Sequence, residues 1–136
     1  MARNVLVDAG FVVALLSSHD THHQWALTRA PDLPPPWSTC EAVLSEAYHL
    51  VGERGAPSLG TLLRRRAVVI AFKLAENVEP VTKLIEKYSD VPMSLADACL
   101  VRMTETLADA IILTTDKDFR VYRRHSRQVV PCVMPE

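Results

Sequence analysis

The chain predicts an α/β fold, a three-layer sandwich with a central, mainly parallel sheet. Three observations carry that expectation. Short apolar runs (Asn4 to Val7, Ala67 to Phe72, Ile111 to Thr114 and Gln128 to Val133) read as strands. Segments of helical period separate them, and strands alternating with helices imply parallel pairing, with right-handed crossovers covering both faces of the sheet. A length of 136 residues, 49% hydrophobic and 23% charged, suits one domain, 1–136, with a real core.

Each element has its own signal. The strand Asn4 to Val7 is followed by an apolar helical stretch from Phe11 to Leu16, broken by Ser-Ser-His-Asp. A second helix is expected from about Thr21 to Ala30. Pro31-Asp32-Leu33-Pro34-Pro35-Pro36 is a rigid connector, because proline lacks the N–H donor and biases the residue before it to extended geometry. Ser38-Thr39-Cys40-Glu41 has capping-box spacing and should start a helix running to Val51, stopped by Gly52 and Gly55. Ala56 to Arg66 gives a further helix, then Ala67 to Phe72 a strand, and Val78 to Tyr88 repeats at helical period. Ser94-Leu95-Ala96-Asp97 is a second capping-box pattern and opens a nearly all-apolar helix to about Leu107. A short basic helix is expected between the strands Ile111 to Thr114 and Gln128 to Val133.

Composition narrows the classes. A net charge of −1 gives no global argument for nucleic-acid binding, so any such argument must be local. Cys40, Cys99 and Cys132 are odd in number and widely spaced, which suits reduced, buried thiols of a cytoplasmic protein better than a disulfide frame or a zinc site. No signal peptide pattern and no apolar stretch of membrane-spanning length is present, so no membrane association is expected.

Four carboxylates hold the chemistry. Asp8 closes the run Val5-Leu6-Val7, and Asp116 follows Ile111-Ile112-Leu113 and two threonines; both fall at strand exits, where open parallel sheets bind ligands. Glu46 is offset by about 60° from Val43, the centre of its helix's apolar face, and so flanks the buried side. Asp97 lies in the first turn of a helix too apolar to be exposed. Each has a plainer reading: Asp8 as a helix cap, Glu46 as a solvated flank, Asp97 as part of the capping box, Asp116 as a turn residue. Their joint placement favours a shared site. Buried carboxylates are costly unless neutralised, paired or placed on a metal, and few cations lie nearby in sequence. A hard divalent ion, Mg²⁺ or Mn²⁺, fits such oxygen ligands.

Val5-Leu6-Val7-Asp8-Ala9-Gly10, Glu41-Ala42-Val43-Leu44-Ser45-Glu46, Leu95-Ala96-Asp97-Ala98 and Leu113-Thr114-Thr115-Asp116-Lys117-Asp118-Phe119 together resemble the PIN-domain nucleases, and among them the VapC-type toxins of toxin–antitoxin pairs. Asp20-Thr21-His22-His23 is similar to the loop after the first helix in such toxins. The resemblance covers nearly the whole chain. It implies that Asp8, Glu46, Asp97 and Asp116 hold one or two Mg²⁺ or Mn²⁺ ions, with Thr114 a supporting hydroxyl and Asp118 a fifth carboxylate. It also implies hydrolysis of RNA phosphodiesters, leaving 5′-phosphate and 3′-hydroxyl ends, with a cognate antitoxin and homodimerisation. Gly10 departs from the pattern, because many members carry Ser or Asn near the first Asp.

Two other classes stand beside this one. A receiver-like signalling domain wants an adjacent acidic pair after the first strand and a Lys after the last; Asp8-Ala9-Gly10 and Pro131-Cys132-Val133 supply neither. A PIN-like scaffold that binds RNA or protein without cleaving has no need of all four acids. Arg64-Arg65-Arg66 reads as a solvated face, while Arg120, Arg123 and Arg124, just after Asp116, are candidates to contact RNA phosphates or an acidic antitoxin. His19, His22 and His23 crowd one loop without a familiar zinc spacing, and Trp37 reads as core.

Overall fold

Burial on both faces decides where the strands sit. Val5, Leu6 and Val7 are buried, as are all four residues from Ala110 to Leu113. Only the interior of a parallel sheet covered by helices gives both faces of a strand that environment. The computed structural model describes residues 3–136. The chain runs β1 (Asn4–Val7), α1 (Ala9–Leu16), α2 (His23–Arg29), β2 (Trp37–Thr39), α3 (Glu41–Arg64) and β3 (Val68–Ile70). It continues through α4 (Val78–Lys87), α5 (Leu95–Thr106), β4 (Ala110–Leu113), β5 (Arg123–Arg124), β6 (Gln128–Val129) and β7 (Cys132–Val133).

Five strands form a parallel sheet in the order β3-β2-β1-β4-β7, with Leu6 opposite both Ser38 and Ile112. Helix α1 packs on α2 and on α3, α4 packs on α5, and α5 also meets α3. The α/β fold with its central parallel sheet is therefore as the sequence predicts. From β1 the chain steps outward to β2 and β3, then returns to lay β4 against the other edge of β1. That reversal opens a crevice at the carboxyl ends of β1 and β4, the position where such sheets bind ligands. Asp8 follows β1 directly, and Thr114 to Asp116 follow β4.

The structure corrects two local expectations. Ser38 does not begin a helix: Trp37–Thr39 is a strand, and α3 starts after Cys40, which makes no side-chain cap. Backbone pairing with β1 and β3 outweighs the capping-box pattern there. At Gly52 the backbone leaves helical geometry, with φ 65° and ψ −167°, so the helix from Glu41 stops there as the sequence predicts and a second runs on to Arg64, the two sharing the label α3. That backbone region belongs almost wholly to glycine. The basic segment forms no helix beyond a 3-10 turn at Lys117–Arg120, and the last expected strand is divided. Its first part, β6, pairs antiparallel with β5 around a turn whose His125 and Ser126 both have positive φ. Only Cys132 and Val133 reach the main sheet.

Trp37 is core, as expected. Its indole N–H donates to the Leu33 carbonyl at 2.8 Å and its ring meets Phe11 edge to face at 5.4 Å.

Candidate metal centre

Asp8 ends β1 and begins α1. Its extended backbone (φ −89°, ψ 162°) is that of a helix N-cap, and its Oδ1 accepts the Ala9 N–H at 2.8 Å. Its Oδ2 accepts the hydroxyl of Thr114 at 2.7 Å. The same Thr114 oxygen accepts the N–H of Asp116 at 3.0 Å, so one buried hydroxyl ties the ends of β1 and β4 together. Asp8 is only 6% exposed. Burial is the main cause that pushes its carboxyl up to about 7; Asp97 and Glu46 add repulsion, while the Thr114 and Ala9 hydrogen bonds pull the other way.

Asp97 sits in the first turn of α5, which Ser94 caps by accepting the Asp97 N–H at 3.0 Å. Its Oδ2 accepts the hydroxyl of Tyr122 at 2.8 Å. Tyr122 is fully buried, stacked edge to face between Tyr88 and Phe119. Burial raises the Asp97 carboxyl and Asp116 raises it further, against the hydrogen bonds of Tyr122 and Ser94. Burial and the Asp97 carboxylate likewise drive the Tyr122 phenol upward, so it stays a donor.

Asp116 opens the 3-10 turn, its Oδ1 accepting the Asp118 N–H at 2.9 Å. Asp8, Asp97 and Asp116 each offer an oxygen within 4.8 Å of the others. The plain roles and the shared site thus hold together: Asp8 and Asp116 shape local backbone, Asp97 lies in a capped first turn, and all three converge. Among the described residues the ion pairs are Arg3–Asp109, Arg29–Asp32 and Arg102–Glu105, none of which touches this group. Three carboxylates that repel one another, two of them buried, and that no protein cation neutralises, are a donor set fitted to a hard divalent ion. His19, His22 and His23 join no such group among the described residues; a ring nitrogen of His23 instead lies 2.7 Å from the Ala14 carbonyl.

The other expected residues fall differently. Glu46 lies outside the group of three and its side chain is exposed. Partial burial raises its carboxyl, and so do the charges of Asp97 and Asp116, which sets it at the rim facing the cluster. Asp118 is half-buried and supplies its backbone N–H to Asp116, with its carboxylate outside the group. Arg123 spends its guanidinium on the carbonyls of Arg120, Val121 and Tyr122, and Arg124 donates to the Thr104 carbonyl. Both arginines are half-buried, and these bonds tether part of each guanidinium to the backbone around it. Arg120 is exposed.

Two partners escape the sequence. Tyr122 stands in a basic stretch with no periodic signal, and only its burial reveals it. The second is Thr115. A Cβ on Gly10 would lie 2.2 Å from the Thr115 Oγ1, so the departure at position 10 has a spatial cause: a threonine hydroxyl fills the room that a side chain there would take.

Tyr122→Phe keeps the packing and removes the hydroxyl that donates to Asp97 Oδ2. Partners of this kind typically carry about 10–100-fold in metal affinity. Calorimetric titration with Mn²⁺ is expected to show a loss in that range, and an unchanged isotherm would remove Tyr122 from the centre.

Comparison with known families agrees with the geometry. The family model described as PIN domain matches residues 5–124. No curated protein matches the chain.

Proposed function

The chain belongs to the PIN-domain family, whose members are generally nucleases, and from that premise we propose that it is an Mg²⁺- or Mn²⁺-dependent endoribonuclease, the toxin of a toxin–antitoxin pair. The observation that carries the reading is the convergence of Asp8, Asp97 and Asp116 at the sheet's switch point without a neutralising cation. A phosphodiester is anionic and repels nucleophiles. A divalent ion, when bound by these three residues, supplies the positive charge that offsets that repulsion and acidifies a water.

The protein's own residues do the rest. Thr114 fixes the Asp8 carboxylate by donating to Oδ2, and Tyr122 fixes Asp97 in the same way. Both carboxylates are thereby held in one rotamer before any ligand arrives, which lowers the ordering cost of assembling the site. Glu46, exposed at the rim and already raised by its acidic neighbours, is placed to take up a proton or to complete the donor set. Arg120, exposed at the end of the 3-10 turn that Asp116 opens, is a basic residue available to meet RNA phosphates. The toxin setting, with a cognate antitoxin and a homodimer, rests on the ordered motif resemblance.

The test is cleavage of a labelled RNA by purified protein with Mn²⁺ or Mg²⁺ and with excess EDTA. Cleavage confined to the metal-containing reactions is expected. Equal cleavage in EDTA would identify a contaminant, while Mn²⁺ binding without cleavage would favour an RNA- or protein-binding scaffold.

A further inference from the structure

The edge strand β7 borders a cavity of about 600 Å³, a volume within the range of ligand-binding pockets. Trp25 and Arg29 of α2 line it, with Arg120, the segment Cys132 to Met134, and Glu136. Its wall joins the metal centre. The Val133 carbonyl accepts the N–H of Thr114 at 3.1 Å, and the Thr114 hydroxyl is the one that holds Asp8. Arg120 ends the 3-10 turn that Asp116 opens. The cavity thus lies one strand further along the carboxyl edge of the sheet than the end of β4.

Its chemistry is the opposite of that of the acids. Trp25 and Arg29 stand four residues apart on a helix and share one face. Arg29 donates from one terminal nitrogen to the exposed Asp32 at 3.4 Å, and its Nε has no acceptor among the described residues. Neither Arg120 nor Glu136 enters an ion pair among those residues. The Arg120 charge is felt at the cavity wall, where it opposes the rise that burial causes in the Cys132 thiol. Two guanidinium forks that line one space repel each other until an anion shares them, and their paired donors match a phosphate. Trp25, half-buried and braced edge to face on Phe11 at 5.9 Å, adds an aromatic surface, and Val133 and Met134 add an apolar one. Arginine beside an aromatic ring suits a nucleotide: the cation takes the phosphate and the ring takes the base.

We propose that this cavity is a nucleotide subsite, with a base stacked on Trp25 and a phosphate held by Arg29 and Arg120. Its ligand is one nucleotide of an RNA chain, flanking the bond that lies at the acids. Binding stands on the cavity alone, and only that role rests on the nuclease reading. Glu136 opposes the phosphate and weakens the site.

Full-length protein is titrated with 5′-AMP, adenosine and inorganic phosphate, in Mg²⁺ and again in EDTA, by tryptophan fluorescence and calorimetry. Trp25 is the responsive fluorophore, because the other tryptophan, Trp37, is buried. 5′-AMP is expected to bind with a Kd below about 1 mM, to quench the emission, and to do so equally in EDTA. Adenosine and phosphate are each expected to bind more weakly. Arg29→Gln and Arg120→Gln should each weaken 5′-AMP by about tenfold. Trp25→Phe should keep the affinity and lose the quench, while Trp25→Leu should also lose about fivefold or more in affinity. Glu136→Gln should tighten binding. Absence of 5′-AMP binding, binding that vanishes in EDTA, or phosphate binding as tightly as 5′-AMP would each overturn the subsite. Metal-dependent RNA cleavage without 5′-AMP binding would leave the nuclease reading standing and remove this one; binding without cleavage would do the reverse.

Discussion

Asp8→Asn and Asp97→Asn are each expected to abolish the proposed metal-dependent RNA cleavage, by at least about a hundredfold, with the fold retained. Loss of a residue that merely orients a ligand already costs about 10–100-fold, and these residues are themselves the candidate ligands. Asn is the right replacement at position 8, because its side-chain carbonyl can still accept the Ala9 N–H and so keep the cap on α1. The charge is removed and the helix start is not. Circular dichroism and the thermal midpoint report the fold, and an RNA time course in Mn²⁺ reports the chemistry. Full activity in both variants would place the cleavage elsewhere.

The second large effect is on stability in the absence of metal. The Asp8 carboxyl rises from 3.8 to about 7 on folding, chiefly through burial. Between those values the folded protein keeps a proton that the unfolded chain releases, so stability must fall as pH rises through that window. A rise of that size corresponds to about 4 kcal/mol, a large share of a small domain's total. The raised carboxyls of Asp97 and Glu46 act in the same direction. Urea unfolding in EDTA is therefore expected to show a midpoint that declines from about pH 4 to pH 8. Asp8→Asn should flatten that decline, and Mn²⁺ at a hundred times its Kd should restore about 2.7 kcal/mol at the alkaline end. A midpoint that rises over the same range would contradict the burial of Asp8 as its cause.

How far the sequence can be read differs by element, for physical reasons. β1 and β4 are legible because strands buried on both faces must be continuously apolar, and Val5-Leu6-Val7 and Ile111-Ile112-Leu113 are. β2 is not: Trp37-Ser38-Thr39 is three residues long, and its identity as a strand lies in pairing with Val68 to Ile70 and with Leu6, which are long-range contacts. The site follows the same rule. Asp8 and Asp116 are placed by the strand each one follows, and Asp97 by the capped apolar helix it opens. Glu46 is projected from a helix whose rotation about its axis the sequence defines only to within a residue, and it falls at the rim. Tyr122 reaches Asp97 through tertiary packing alone, so no local pattern announces it.

Two glycines of this chain differ in what a side chain would meet. A Cβ on Gly10 would displace the Thr115 hydroxyl, whereas a Cβ on Gly52 would meet nothing within 4 Å. The obstacle at Gly52 is handedness alone, since its φ of 65° with ψ of −167° mirrors an extended conformation open to every L-residue. A D-alanine would sit there without strain, and L-alanine would cost about 1–3 kcal/mol. The bend in α3 is thus a property of chirality, with the half that carries Glu46 on one side of it and the half containing Leu59 on the other.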